Sequence, residues 1–237
     1  MSEYRSDGVE ASSAGLVGRR RFRANRTLSL MFTGLVQAIG RVSALEMREG
    51  VGRLRVNLGA WTHSPEQGAS IAVNGCCLTV AEVRGSGDEI SFDVIAQTLA
   101  VTTLGALARG DAVNLEHAAT PTTFLGGHVV LGHIDARAEV VGVSTAGEWR
   151  VQVRVPSDYA RFVVERGSIA FDGVSLTIAR VQDATDGSGA VVIDVCLIPE
   201  TLARTTLQQR VVGDAMNFEV DHMAKLIAAL IARQLKP

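Results

Sequence analysis

Residues 70–83 read SIAVNGCCLTVAEV, and residues 168–181 read SIAFDGVSLTIARV. The likeness continues downstream. Thr98-Leu-Ala-Val-Thr-Thr-Leu104 matches Thr201-Leu-Ala-Arg-Thr-Thr-Leu207, and each is followed by Gly-Asp-Ala-x-Asn-x-Glu, at 110–116 and 213–219. Order and spacing agree in both places, so the chain is written twice. Two copies are too few for a solenoid, whose units need stacked neighbours to bury their faces. Two homologous domains meeting near residue 126 are the simpler reading, with 31–126 as the first and 127–220 as the second.

Each copy reads as short strands rich in β-branched or alternating apolar residues, separated by Gly, Asp and Ser clusters. In the first copy these are Val51–Leu58, Ser70–Val83, Ile90–Ile95 and Ala112–Glu116; in the second, Trp149–Val155, Ser168–Val181, Val191–Leu197 and Ala215–Val220. The spacing predicts an all-β chain with an antiparallel barrel in each half. No strand–helix alternation and no G-x-G-x-x-G are present, which speaks against a dinucleotide-binding domain. The end of the chain, 221–237, differs. Met223, Leu226, Ile227, Leu230, Ile231 and Leu235 fall on one face of an amphipathic helix, fit either to cover its own domain or to pair with copies of itself.

Composition narrows the classes. A formal net charge of −2 over 237 residues leaves no electrostatic footprint for nucleic acid. No apolar run approaches the ~20 residues that span a bilayer. Cys76, Cys77 and Cys196 are odd in number and two are adjacent, which argues against a disulfide framework and for a reducing cytoplasm. Residues 1–30 carry Arg5, Arg19, Arg20, Arg21, Arg23 and Arg26 among Ser, Ala and Gly. Their acids Glu3, Asp7 and Glu10 favour a disordered extension, or a start at Met31, over a targeting peptide.

Four local sets can carry chemistry: Phe32-Thr-Gly-Leu-Val36, Asn74-Gly-Cys-Cys-Leu-Thr79, Gly126-Gly-His-Val-Val-Leu-Gly-His133 and Asp172-Gly-Val-Ser-Leu-Thr177. Strand alternation puts Cys77 with Thr79 on one face, and Ser175 with Thr177 on the equivalent face of the second copy. Gly75 and Gly173 sit where a bulge or a close backbone approach is expected. Cys76 reads as a buried small hydrophobe, and Cys77 divides evenly between that role and a reactive one. His128 and His133 lack partners at metal-ligand spacing. A Cys77–His dyad is chemically open. Asp172 and Asp221, taken alone, read as turn carboxylates.

Together these motifs resemble the riboflavin synthase α-chain family. The match runs from Met31 through the terminal helix and includes Met-Phe-Thr-Gly, NGCCLTV, GGHxxxGH, DGVSLT and Leu197-Ile-Pro-Glu-Thr-Leu202. The resemblance implies two antiparallel six-stranded Greek-key barrels and a C-terminal helix that assembles a homotrimer. It also implies a reaction without metal or redox cofactor. Two molecules of 6,7-dimethyl-8-ribityllumazine exchange a four-carbon unit, giving riboflavin and 5-amino-6-ribitylaminopyrimidinedione. Association with lumazine synthase follows from the same likeness. By resemblance, Cys77, His128, His133, Asp172, Ser175, Thr177 and Asp221 line the reacting centre, with Phe32 packing on a ring. Candidate roles are proton transfer by His133 and addition or polar support at C7 from Ser175 or Cys77. Contacts to the ring and ribityl groups are implied for Gly34, Leu35 and Val36, for Cys77, Leu78 and Thr79, and for Asp93, Val94, Ile95, Ala96, Gln97 and Thr98. In the second half they are implied for Gly132, His133 and Ile134, for Arg166, for Ser175, Leu176 and Thr177, and for Leu197, Ile198, Pro199, Glu200, Thr201 and Leu202. The repeats differ where donor and acceptor must: Phe32 aligns with Val130, Leu35 with His133, Asn74 with Asp172 and Cys77 with Ser175. Two departures from the family touch ligand contacts: Gln97 stands where Glu is frequent, and Arg166 where Lys is usual.

Three other readings compete. A lumazine-holding protein of the same fold would bind without turnover, a Cys–His hydrolase would be inactivated by alkylation, and the barrel half of a flavin reductase would lack its nucleotide domain.

Overall fold

The computed structural model describes residues 31–63, 65–85 and 87–234. The expectations for 1–30 and for Leu235 lie outside the described residues. Six strands form the first half: Ala38–Arg48, Val51–Asn57, Ser70–Val73, Cys76–Arg84, Glu89–Ile95 and Ala112–His117 (β1 to β6). Six more form the second: Ala136–Ser144, Trp149–Val155, Ser168–Phe171, Val174–Asp183, Val191–Leu197 and Ala215–Val220 (β7 to β12). Both sets close into antiparallel barrels by the same circuit, β1-β2-β5-β4-β3-β6 and β7-β8-β11-β10-β9-β12. Closure removes the exposed edges that an open sheet of these strands would carry. Register shifts fall at equivalent places, Val42/Ala44 with Val140/Gly142 and Val80/Glu82 with Ile178/Arg180. Such bulges bend a strand around a barrel corner.

The stretches 70–83 and 168–181 are not single strands. Each is a hairpin, β3–β4 and β9–β10, turning at Asn74-Gly75 and Asp172-Gly173. Both residues of each turn have positive φ (44° and 77°; 45° and 79°), as a type I′ turn needs. The strands β1 and β7 lack a strong apolar run. They are held mainly by pairing with β2 and β6, and with β8 and β12.

Each barrel fills its own core from alternate positions. Leu54, Val56, Ile71, Phe92 and Leu115 are buried in the first, and Val153, Ile169, Phe171, Ile193 and Phe218 in the second. Short helices follow β5 and β11, Ala96–Val101 (α1) and Pro199–Arg204 (α3), with Ser157–Ala160 (α2) between β8 and β9.

The barrels meet tip to tip. A Cβ built on Gly75 would lie 2.6 Å from the Gly173 nitrogen, and one on Gly173 would lie 2.7 Å from the Gly75 nitrogen. Only glycine permits that approach. Around it the hydrogen bonds are reciprocal. Asn114 Nδ2 donates to the Asp172 carbonyl and Asn217 Nδ2 to the Asn74 carbonyl, each at 2.9 Å. Their Oδ1 atoms accept from Thr206 N and Thr103 N. These paired bonds draw a pseudo-twofold axis through the junction.

The C-terminal helix His222–Gln234 (α4) is capped by Asp221, whose Oδ1 accepts from Met223 N at 2.8 Å. Lys225 Nζ reaches Asp135 Oδ1 at 2.6 Å and fastens the helix to the second barrel. Met223, Leu226, Ile227, Leu230 and Ile231 remain exposed. Among the described residues no helix is long and apolar enough to cross a membrane.

Candidate active site

The segment entering each barrel is a strap that leaves its own half. Phe32 and Val130 exchange backbone hydrogen bonds (2.7 and 3.1 Å) on the axis. Beyond that crossing, the Gly34 carbonyl accepts from Ser175 N in β10 at 2.8 Å, and the Gly132 carbonyl accepts from Cys77 N in β4 at 2.9 Å. The first barrel's strap thus lies on the second barrel, and the second barrel's strap on the first. Side chains follow suit: Val36 packs against the core of the second barrel and Ile134 against that of the first.

Two equivalent surfaces result. On the second barrel Ser175 is half-buried and Thr177 exposed, both pointing out of the core that Leu176 enters. Arg166 donates its N–H to the Ile178 carbonyl, beside Thr177. The strand β11 runs antiparallel to β10 with Val195 opposite Ile178, which brings Ile198 and the start of α3 level with Ser175. On the first barrel Cys77 is half-buried, Thr79 is exposed and Leu78 enters the core. Phe92 lies opposite Val80, so Ile95 and the start of α1 come level with Cys77.

His128 gives the second surface its chemistry. Its Nδ1 lies 2.7 Å from Ser175 Oγ. Burial lowers the imidazole pKa, with the Asp221 charge opposing, so the ring stands neutral near pH 7 and can accept the hydroxyl proton. Burial also raises the Cys77 thiol, partly offset by a hydrogen bond with Ser70, and pushes Cys76 up to about 12. Both are therefore thiols at neutral pH, not thiolates. Among the described residues no hydrogen bond joins a histidine to Cys77.

The candidate residues therefore divide. Ser175, Thr177 and His128 gather with the Gly34–Val36 strap, Arg166 and the Leu197–Leu202 segment. Cys77 lies under the Gly132 strap, which continues into exposed His133 and Ile134, and strand register brings the Asp93–Thr98 segment alongside Cys77 and Thr79. Leu78, Val94, Leu176 and Leu197 face the cores, which leaves only their backbone for a ligand. Ile95, Ala96, Gln97, Ile198, Pro199 and Glu200 are exposed, and Thr98, Thr201 and Leu202 are partly so. The Asp93 carboxylate is engaged by Arg53 Nε at 2.8 Å, and Glu200 is paired with Arg204. Arg166 is exposed at φ 64°, where the first copy uses Gly68 at φ 85°. A non-glycine residue there stores about 1 kcal/mol of strain, a cost that marks functional positions.

Two candidates sit elsewhere. Phe32 is fully buried with Ala72, Val130 and Ala170, and so packs the junction rather than offering a face to a ring. Asp172 is also fully buried. Its Oδ1 accepts from Asn217 N at 2.9 Å and its Oδ2 from Arg210 Nη2 at 2.7 Å. Burial pushes this carboxyl up, against the pull of Arg210 and Asn217. In the first copy Leu107 stands where Arg210 does, and the turn residue there is uncharged Asn74. Asp172 therefore builds the turn, and Asp221 caps α4 within range of His128.

Sequence reading missed two buried glutamates. Glu116 Oε1 accepts from Thr33 N (2.6 Å) and Thr33 Oγ1 (2.8 Å), and its Oε2 from Gly34 N (3.0 Å). Glu219 Oε1 accepts from Leu131 N (2.8 Å) and its Oε2 from Gly132 N (2.9 Å). The signal was in the repeated Asn-x-Glu of both copies. Burial raises each to about 7 against these donors; Lys225 also pulls Glu219 down and Asp135 pushes it up. Folded values above the unfolded carboxylate value favour the native state most below about pH 4.5, and that contribution is lost as pH rises through about 7. The unfolding midpoint should accordingly fall between about pH 4.5 and about 7 and level off above it, and Glu116→Gln should cut this slope by about half. A slope unchanged by the substitution in thermal melts would contradict the assignment.

A family model described as the lumazine binding domain matches twice, over residues 33–118 and 131–221. A curated riboflavin synthase of Mycobacterium tuberculosis is 42% identical over 205 residues, covering 85% of this chain and 98% of the relative. That of Escherichia coli is 36% identical over 208 residues, covering 86% and 93%. Among solved structures, LumP complexed with 6,7-dimethyl-8-(1'-D-ribityl) lumazine superposes with a TM-score of 0.66 at 25% identity, covering 80% of this chain and 98% of that one. LumP complexed with riboflavin gives 0.65 at 26%, covering 79% and 97%.

Proposed function

The chain belongs to the riboflavin synthase family of paired lumazine binding domains, and from that membership we infer that it is a transferase acting on two molecules of 6,7-dimethyl-8-ribityllumazine. One molecule gives up a four-carbon unit and leaves as 5-amino-6-ribitylaminopyrimidinedione; the other accepts it and becomes riboflavin. The single observation that carries the reading in the structure is the pair of equivalent but chemically different surfaces, one presenting Ser175 with His128 and the other Cys77 under the Gly132 strap that leads into exposed His133. Identical substrates need related pockets, and unlike roles need unlike side chains. Holding two heterocycles in attack geometry can account for ~7–11 kcal/mol of the barrier.

Within this reading Ser175 is the hydroxyl that adds at C7 of one lumazine, with His128 taking its proton. The C7 methyl of the other molecule is acidic enough that modest general-base help suffices, and exposed His133 is the candidate for it. Cys77, held as a thiol, serves as polar support. Arg166, the exposed end of β5 and the exposed residues that follow β5 and β11 provide the surrounding contacts. The LumP likeness raises a second reading, a protein that holds the chromophore without turning it over. The higher identity to curated enzymes and the paired Ser175 and His128 favour catalysis. Incubating the purified chain with the lumazine and following riboflavin release decides between them: tight binding with no riboflavin would leave the binder standing.

Both surfaces are open in one chain, and the apolar face of α4 lies uncovered, which together favour a homotrimer in which neighbouring copies close each pocket. Removing residues 222–237 should shift sedimentation from trimer to monomer and lower turnover; a trimer that persists would reduce α4 to a local cover. Unpaired cysteines accord with a cytoplasmic setting. Association with lumazine synthase rests on the family resemblance alone.

A further inference from the structure

We propose that each reacting surface is positioned by a buried glutamate of the opposite barrel, Glu219 of the second barrel setting the strap on Cys77 and Glu116 of the first setting the strap on Ser175. Both glutamates accept two adjacent backbone N–H groups, one on each carboxylate oxygen. That geometry fixes a peptide segment in two directions at once, as a single hydrogen bond does not. The segment so fixed is in hard contact with the reacting residue. A Cβ on Gly34 would fall 2.6 Å from Ser175 Cβ, and one on Gly132 would fall 2.6 Å from Cys77 Cβ. The strap backbone lies too close to the reacting residue for any side chain between them and is hydrogen-bonded to its N–H, so movement of the strap is felt at the side chain beneath it. Neither glutamate is exposed. They are positioning residues and not ligand contacts.

The clamps are unequal. Thr33 Oγ1 adds a third donor to Glu116, whereas Leu131 at the equivalent place adds none to Glu219. The strap on Cys77 is therefore the more easily loosened, and its clamp belongs to the barrel that carries α4.

The turnover consequences rest on the proposed activity, but the crossed geometry is testable without it. Cys77 is the reporter: after iodoacetamide labelling, peptide mapping separates it from half-buried Cys196, the internal control, and fragment-ion sequencing of the shared peptide separates it from buried Cys76. In the intact protein, Glu219→Gln replaces one acceptor with a donor. Beyond burial, the Glu219 charge also raises the Cys77 thiol, so the charge-keeping Glu219→Asp is measured beside it. Both should raise Cys77 labelling at least about fivefold with Cys196 unchanged. Acceleration in Glu219→Gln alone is a charge effect and overturns the proposal. Glu116→Gln, although it lies in the same barrel as Cys77, should leave Cys77 labelling unchanged. Equal acceleration in Glu116→Gln and the Glu219 variants, or in none of them, also overturns it. Where Glu219→Gln fails to fold by circular dichroism, Glu219→Asp, which shortens the clamp and keeps its charge, is read in the same way. In the lumazine assay both Gln variants should lose kcat, by up to about a hundredfold, with KM changed far less. Loss in KM alone would also overturn it. Absence of turnover in the unsubstituted protein would instead strike the proposed function and leave the labelling result intact.

Discussion

Ser175→Ala is expected to lower kcat about 100-fold or more while leaving lumazine affinity within about threefold, the loss typical of removing a positioned acid–base or nucleophilic group. The reasoning starts from one contact, the 2.7 Å separation of Ser175 Oγ from His128 Nδ1. Burial lowers the pKa of that imidazole, and in the tautomer with Nδ1 unprotonated the hydroxyl donates to it and is left nucleophilic. Alanine removes the oxygen and little volume, and Ser175 N still donates to the Gly34 carbonyl, so the strap keeps its seat. His128→Gln should produce a similar loss. The double substitution should be little worse than the poorer single one, because two groups acting as a unit do not contribute independently. Turnover at the full rate in Ser175→Ala would remove this pair from the reaction and move the search to Cys77 and His133. Two additive losses would show that the two residues act in separate steps.

The doubling was plain in the sequence because barrel formation constrains the same positions in each half. The hairpin turns were not, since SIAVNGCCLTVAEV is apolar on both sides of Asn74-Gly75 and reads as one run. Its turn depends on the φ-positive pair, and its purpose depends on a second glycine far along the chain. Strands β1 and β7 escaped for a related reason: much of what holds them is ladder pairing with distant partners, which a local pattern does not carry. The site was legible in its residue types and not in its grouping. Ser175 and His128, 47 positions apart, meet because a strap crosses the axis. Asp172 and Phe32 looked like site residues and prove to be junction residues. Glu116 and Glu219 stood inside a quoted repeat, but a buried glutamate announces itself only when its backbone donors are seen.

The junction itself yields the largest stability effect. Gly75→Ala should cost about 3 kcal/mol or more and lower the unfolding midpoint by roughly 10 °C, since a chain of this size loses about 2–4 °C per kcal/mol. Two costs combine at this position. The first is conformational, because alanine at φ 77° is strained by about 1 kcal/mol. The second is steric and larger, because the new methyl meets Gly173 backbone at 2.6 Å, where no flexible side chain can yield. Gly50 separates them. It closes the β1–β2 hairpin after Glu49, with φ of 48° and 83° for the pair, and a Cβ there meets nothing within 4 Å. Gly50→Ala should therefore cost only the strain, about 1 kcal/mol. The difference between the two variants measures how tightly the barrels are pressed together at their tips. If both lose the same stability in thermal melts, the tips are not in contact, and the twofold pairing that sets the straps over Cys77 and Ser175 loses its foundation.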